Sequence, residues 1–173
     1  MRPRPGEVLH FSEDPVIRSF RPHLAPTSAE TTPYVWAVGH DRAPDYWFPR
    51  QCPRAMAWVG PGTTAADRSR IIGDGSGTRV HAVEYGWLEA IRTVELYAYR
   101  LPAEPFKLFD AAFVATTEVE PLGPAERVGD LFELHAEAGI QLRVLPRLHE
   151  FWDAVTASTL EFSGIRLRNA VPR

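Results

Sequence analysis

The chain has a single cysteine, Cys52, in 173 residues. A lone thiol excludes an internal disulfide and every zinc motif built on paired cysteines. Lysine is almost as scarce: Lys107 stands against eighteen arginines. Nearly all the positive charge therefore sits on planar guanidinium groups, which can grip phosphate or carboxylate with two bonds at once. No apolar run approaches the ~20 residues of a membrane-spanning helix. The opening MRPRPGEVLHF carries two arginines but no apolar stretch of signal-peptide length. A soluble cytoplasmic protein with no membrane partner is the expectation. A surplus of charge is also missing, since 19 basic against 22 acidic residues leave a net of -3. Nucleic acid is therefore not the expected partner, save through a local basic patch.

Several reaction signatures are absent. There is no HExxH, no GxSxG nucleophile elbow and no paired histidine spacing, and no metal site is expected. His40 with Asp41 and Asp45 is the nearest approach to a metal cluster, and nothing fixes it. Gly73-Asp74-Gly75-Ser76-Gly77 lacks the Lys-Ser/Thr ending of a phosphate loop and reads as a flexible turn. Cys52 has no neighbouring base that would make it a nucleophile.

What is present suffices for a packed core. Apolar residues make up 45%, and there are five Trp, five Tyr and nine Phe. The length predicts a single domain over residues 1–173. Sixteen prolines suit a mixed fold with many short connections better than a helical bundle.

Strands are predicted at Val8–Phe11, Tyr34–Val38, Arg54–Val59, Arg79–Val83, Thr93–Leu101, Ala111–Thr116, Ile140–Leu145 and Leu160–Leu167. The strand at 140–145 reads as antiparallel or as an edge, because Gln141 and Arg143 alternate with Leu142 and Val144. Helical spacing appears at Val16–Phe20 behind a Ser12 or Asp14 cap, at Ala43–Phe48, at Tyr85–Ile91, at Pro124–Ala138 and at Arg147–Ser158. Residues 21–33 read as a loop, 106–110 as irregular, and 60–78, with five glycines, as the flexible loop. Six to eight short strands and three to four helices in no regular order spell α+β.

Candidate chemistry gathers in the first third. His10 and Ser12 flank Phe11, so a strand turns both to one face, where a neutral imidazole can bond a ribose hydroxyl or an amide. Trp36 and the aromatic knot Tyr46-Trp47-Phe48 can stack on a flat heterocycle, and Tyr46 keeps a polar handle. Arg50 and Arg54, on either side of Cys52 and Pro53, can clamp phosphate. Glu118 and Glu120 would share one side of a strand end, where paired carboxylates orient a ribose or act as base. Each group also has a plain structural role open to it: capping, core packing, ion pairing or an exposed strand end.

The stretches LHFSED and PYVWAVGHDRAPDYWF resemble the opening of the ADP-ribosyltransferase-like superfamily. The resemblance covers about the first third of the chain. It implies a bent, mostly antiparallel α+β sheet split around an NAD cleft, with His10 holding the nicotinamide ribose and Tyr46 stacking on nicotinamide. The strand AAFVATT has no glutamate where that superfamily places its catalytic one, so Glu118 or Glu120 would have to substitute. The whole chain also resembles a bacterial family of similar length with no assigned activity, in which stretches like YWFPRQCPR and FSGIRLRNA recur.

The leading expectation is an NAD-dependent transferase of ADP-ribosyl or phosphoryl groups, acting in a cleft between the first two strands. The alternatives are a non-catalytic nucleotide-binding module and a homodimeric interaction protein joined through its C-terminal strand.

Overall fold

The structure is a computed structural model, and it describes residues 1–24 and 31–173. Residues 25–30 of the expected loop lie outside the described residues. In chain order the elements are β1 (Glu7–Ser12), β2 (Val35–Ala37), a 3₁₀ turn (Ala43–Tyr46), β3 (Arg54–Trp58), α1 (Ala65–Ile71) and β4 (Arg79–Glu84). A 3₁₀ turn (Tyr85–Trp87) then runs into α2 (Leu88–Thr93), followed by β5 (Tyr97–Pro102), β6 (Lys107–Phe109), β7 (Ala112–Ala115) and β8 (Glu126–Arg127). The chain ends with α3 (Leu131–Glu137), β9 (Gln141–Leu145), α4 (His149–Thr156), β10 (Glu161–Ile165) and a 3₁₀ turn (Leu167–Asn169). The class is α+β.

The chain divides into two compact units, each built from two stretches. The first comprises Met1–Trp47 and Glu95–Gly129, the second Phe48–Val94 and Asp130–Arg173.

Among the described residues the first unit holds two antiparallel three-stranded sheets, ordered β1-β5-β8 and β2-β7-β6. Leu9 and Val38 exchange backbone hydrogen bonds of 2.9 and 2.8 Å and tie the two sheets together. The even side of β1 places Val8 in a core with Phe20, Val35, Tyr99 and Leu101. Its odd side places Leu9 and Phe11 in a second cluster with Val38, Ala43 and Tyr46. Burial on both faces explains why VLHF reads as a nearly continuous apolar run. The part-buried Arg100 bonds Glu7 at 2.7 Å and Glu126 at 2.6 Å, fastening β1, β5 and β8 across their width.

The second unit is one four-stranded sheet, ordered β10-β3-β4-β9, covered by helices. Ala55, Ala57 and Ala82 keep one face shallow, and Leu148, Phe151, Trp152 and Val155 of the α4 region pack down on it. Gly164 belongs to the same close approach, since a Cβ there would lie 2.6 Å from Leu167 and 2.8 Å from Trp152. Glu84 is buried beside this layer, accepting the amides of Leu148 at 3.0 Å and Val171 at 3.0 Å. Its carboxylate thus pins both the start of α4 and the C-terminal tail.

Several expectations are corrected. Val16–Phe20 is not helical. Ser12 Oγ accepts the Asp14 amide at 3.1 Å and Asp14 Oδ1 accepts the Val16 amide at 2.9 Å, so two side-chain turns replace a cap. Residues 60–78 contain α1, whose Thr64 cap accepts the Asp67 amide at 3.2 Å. The strand expected from Thr93 begins only at Tyr97, because α2 runs through Thr93, whose hydroxyl bonds the Glu89 carbonyl. The helix expected from Pro124 starts at Leu131. Glu126–Arg127 pair with β5 instead, Gly129 takes φ 93°, and Asp130 caps the amides of Phe132 and Glu133. Residues 107–109 form a strand. β9 is an edge, as one of its two readings had it, and it runs parallel to β4 rather than antiparallel. Among the described residues three sheets stand where one bent sheet was implied.

Candidate functional site

The β2-β7-β6 sheet turns Val35, Ala37 and Ala115 into the first unit's core. Its other face carries Trp36, Val114 and Lys107 in one row, because Val114 pairs with both Trp36 and Lys107. Tyr34, Trp36 and Phe109 cluster over this face. Their ring centroids lie 5.8 Å (Tyr34–Trp36), 5.7 Å (Tyr34–Phe109) and 6.0 Å (Trp36–Phe109) apart, with two of the three pairs edge to face. Val114 is buried beneath them, while the three rings are half-buried.

His10 braces this face from behind. Its Nδ1 lies 2.8 Å from the Trp36 carbonyl oxygen. A carbonyl only accepts, so Nδ1 carries the hydrogen. The imidazole packs on Phe20 at 4.6 Å. His10 and Trp36 are thus brought together, although by imidazole and backbone rather than as two walls of a cleft. The cleft expected between the first two strands is closed by the Leu9–Val38 and His10–Trp36 bonds.

The remaining candidates are dispersed. Ser12 is buried in its turn. Tyr46 stacks on Phe11 at 6.5 Å and 7°, so it lies on the opposite side of β1 from His10. Glu118 is about half exposed; it accepts from Ser19 Oγ at 2.6 Å and Arg21 Nε at 3.1 Å, which hold its carboxyl below the usual range. Glu120 is exposed. Phe20 and Val119 pair and point into the core, so alternation places Glu118 and Glu120 outside that bridge and His10 inside it.

Arg50 and Arg54 belong to the second unit and differ in environment. Arg50 is exposed, whereas Arg54 is 2% exposed, donates to the Cys52 carbonyl at 2.9 Å and lies over Phe48 at 5.2 Å. Burial pushes the Cys52 thiol up to about 12, which keeps it protonated at neutral pH. His40 and Asp41 meet at 3.1 Å on the surface, while the buried Asp45 turns to Arg42 at 2.6 Å. Among the described residues no group of three or more His, Cys, Asp or Glu could hold a metal ion.

The second unit joins two histidines whose partnership the sequence hides. His81 of β4 and His135 of α3 are fully buried with Nδ1 and Nε2 3.1 Å apart. Phe48 packs on both rings, at 5.8 and 4.9 Å. Arg79 Nε donates to His81 Nε2 at 2.9 Å. Arginine cannot accept, so His81 carries its hydrogen on Nδ1 and gives it to His135 Nε2. His135 in turn donates Nδ1–H to the Leu131 carbonyl at 2.6 Å. The glycine-rich loop lines a cleft of about 510 Å³ with the end of α3 and the start of β9. The Arg68 guanidinium takes the carbonyls of Gly75 and Gly77, so the loop is tied down by its own chain.

Tyr34, Phe109 and Lys107 were not singled out from the sequence. The i, i+2 spacing of Tyr34 and Trp36 already carried the signal for one shared face. Phe109 was hidden because 106–110 lacks a clear alternation.

The model of a family of unknown function, DUF6886, matches residues 9–170, and the chain belongs to that family. No curated protein and no solved structure matches it. The resemblance to the ADP-ribosyltransferase-like superfamily therefore rests on the residues quoted for it alone. No helix among the described residues is long and apolar enough to cross a membrane.

Proposed function

We propose that the chain is a non-catalytic nucleotide-binding module that holds a flat heterocycle, of the kind NAD carries, against Trp36. The observation that carries this reading is the half-buried face of Tyr34, Trp36 and Phe109, with the Trp36 backbone held by His10. A ring presented on a braced strand loses little freedom on binding, which favours stacking. Binding is preferred over group transfer because His10 and Glu118 lie on opposite sides of the Phe20–Val119 bridge, and Glu118 is occupied by Ser19 and Arg21. The test is calorimetric titration of the chain with NAD, ADP-ribose and nicotinamide, alongside an assay for nicotinamide release. Binding without release supports a module. Release from NAD that Glu118→Gln abolishes would return the reading to a transferase.

The place of β10 at a sheet edge, with Phe162 43% exposed, favours a second reading, a homodimer joined through the C-terminal strand. Light scattering decides it: the mass of one chain at high concentration removes this reading.

A further inference from the structure

The chain's one lysine occupies a particular place on the aromatic face. Lys107 pairs with Val114, and Val114 with Trp36, so the three stand in one row across adjacent strands. Two strand spacings of about 4.8 Å set the Lys107 backbone ~10 Å from that of Trp36. Phe109, two residues along the same strand, packs its ring on Trp36. Lys107 is exposed and has no ion-pair partner among the described residues. Several other cations of the first unit are committed: Arg100 to Glu7 and Glu126, Arg21 to Glu118, Arg127 to Glu95. The face thus combines an aromatic platform with an unspent positive charge one short step away.

We propose that this face takes a nucleoside 5′-monophosphate unit, its base on Trp36 and its phosphate at the Lys107 ammonium. The inference rests on the nucleotide-binding reading and adds the anionic group that the site recognises. A ribose sets its 5′-phosphate one sugar's length from the base, and the flexible four-carbon stem of lysine can cover the remaining distance. The ammonium offers three donors and a compact charge, which suit a phosphate at the end of a ligand. The glycine-rich loop of the second unit offers a poorer place for phosphate, since Arg68 already binds its carbonyls and Asp74 stands beside them.

The experiment is calorimetry on the full chain at low salt with adenosine, adenosine 5′-monophosphate and inorganic phosphate. The wild type, Lys107→Gln, Lys107→Arg and Trp36→Phe are compared, with circular dichroism checking each fold. The wild type should bind the monophosphate about tenfold or more tighter than adenosine, the gain expected of one charge-assisted contact. Lys107→Gln should lower the monophosphate to the level of adenosine and leave adenosine unchanged. Lys107→Arg should keep most of the preference, and Trp36→Phe should weaken both nucleosides in parallel. If adenosine and its monophosphate bind the wild type equally, or Lys107→Gln keeps the preference, the lysine assignment is overturned while the platform stands. Inorganic phosphate binding as tightly as the monophosphate would also overturn it, as a plain anion site. If neither adenosine nor its monophosphate binds, the platform itself falls and the inference with it.

Discussion

His10 donates Nδ1–H to the carbonyl oxygen of Trp36 across 2.8 Å, joining residues 26 apart in sequence. The bond fixes the backbone under the aromatic face and satisfies a carbonyl that β1 would otherwise leave without this donor. His10→Ala removes it together with the ring contact to Phe20 at 4.6 Å. The expected cost is about 1–3 kcal/mol of stability, or several degrees in Tm for a chain of this size. His10→Gln, whose amide can donate, should recover part of it. Thermal denaturation reads both, and an unchanged Tm in His10→Ala would contradict the brace.

Glu84 is expected to matter for stability. Its buried carboxylate accepts the amides of Leu148 and Val171. Glu84→Ala leaves a buried amide without its acceptor and opens a void, so a loss of about 3 kcal/mol is expected. Glu84→Gln keeps one carbonyl oxygen and should cost less. Urea unfolding of the full chain measures the difference, and equal midpoints for wild type and Glu84→Ala would remove the anchor.

The Arg100 cluster sets an acid limit. Glu126 lies below its ordinary value of 4.5 chiefly through its bond to Arg100. Glu7 is raised by burial but pulled below 4.5 by the Arg4 amide and the Arg100 guanidinium. Both folded values are depressed, so the unfolded chain takes up protons first as pH falls. The cluster's stabilisation is full above 4.5 and is lost as pH drops through the lower folded values. Arg100→Gln should be less stable at neutral pH and should lose less on acidification. Denaturant midpoints against pH test this, and parallel curves for the two proteins would contradict it.

The buried histidine pair makes a spectroscopic prediction. Arg79 donates to His81, His81 to His135, and His135 to the Leu131 carbonyl, so each ring carries its hydrogen on Nδ1. Nitrogen-15 spectra of the imidazoles should show Nδ1 protonated and Nε2 bare in each. An Nε2–H pattern in either ring would break the chain of donors.

The strand pattern was legible wherever one face or both are buried. VLHF, RAMAWV and RVHAV each read as strands, within a residue or two of the observed bounds, because β-branched, aromatic and small apolar residues alternate or run on without breakers. Boundaries failed where a polar side chain outranks the pattern: Asp130 caps a helix that was placed from Pro124, and Thr93, assigned by alternation to a strand, ends α2 with its hydroxyl on the Glu89 carbonyl. The grouping on the aromatic face was partly legible. Trp36 was singled out from the sequence and lies on this face, but its neighbours Phe109 and Lys107 arrive from a hairpin over seventy residues later, and local spacing cannot show that. The His81–His135 contact has the same cause, since 54 residues separate the two.

The proposed nucleotide platform is tested most directly by the indole N–H signals of the nitrogen-15-labelled chain. The five tryptophans give five signals, and loss of one in Trp36→Phe assigns Trp36. Titration with NAD or a nucleoside monophosphate should shift the Trp36 signal first and furthest, saturably, with the buried Trp47 little changed. If Trp36 stays in place while the ligand binds, or while no ligand binds at millimolar concentration, the aromatic face is not a nucleotide site.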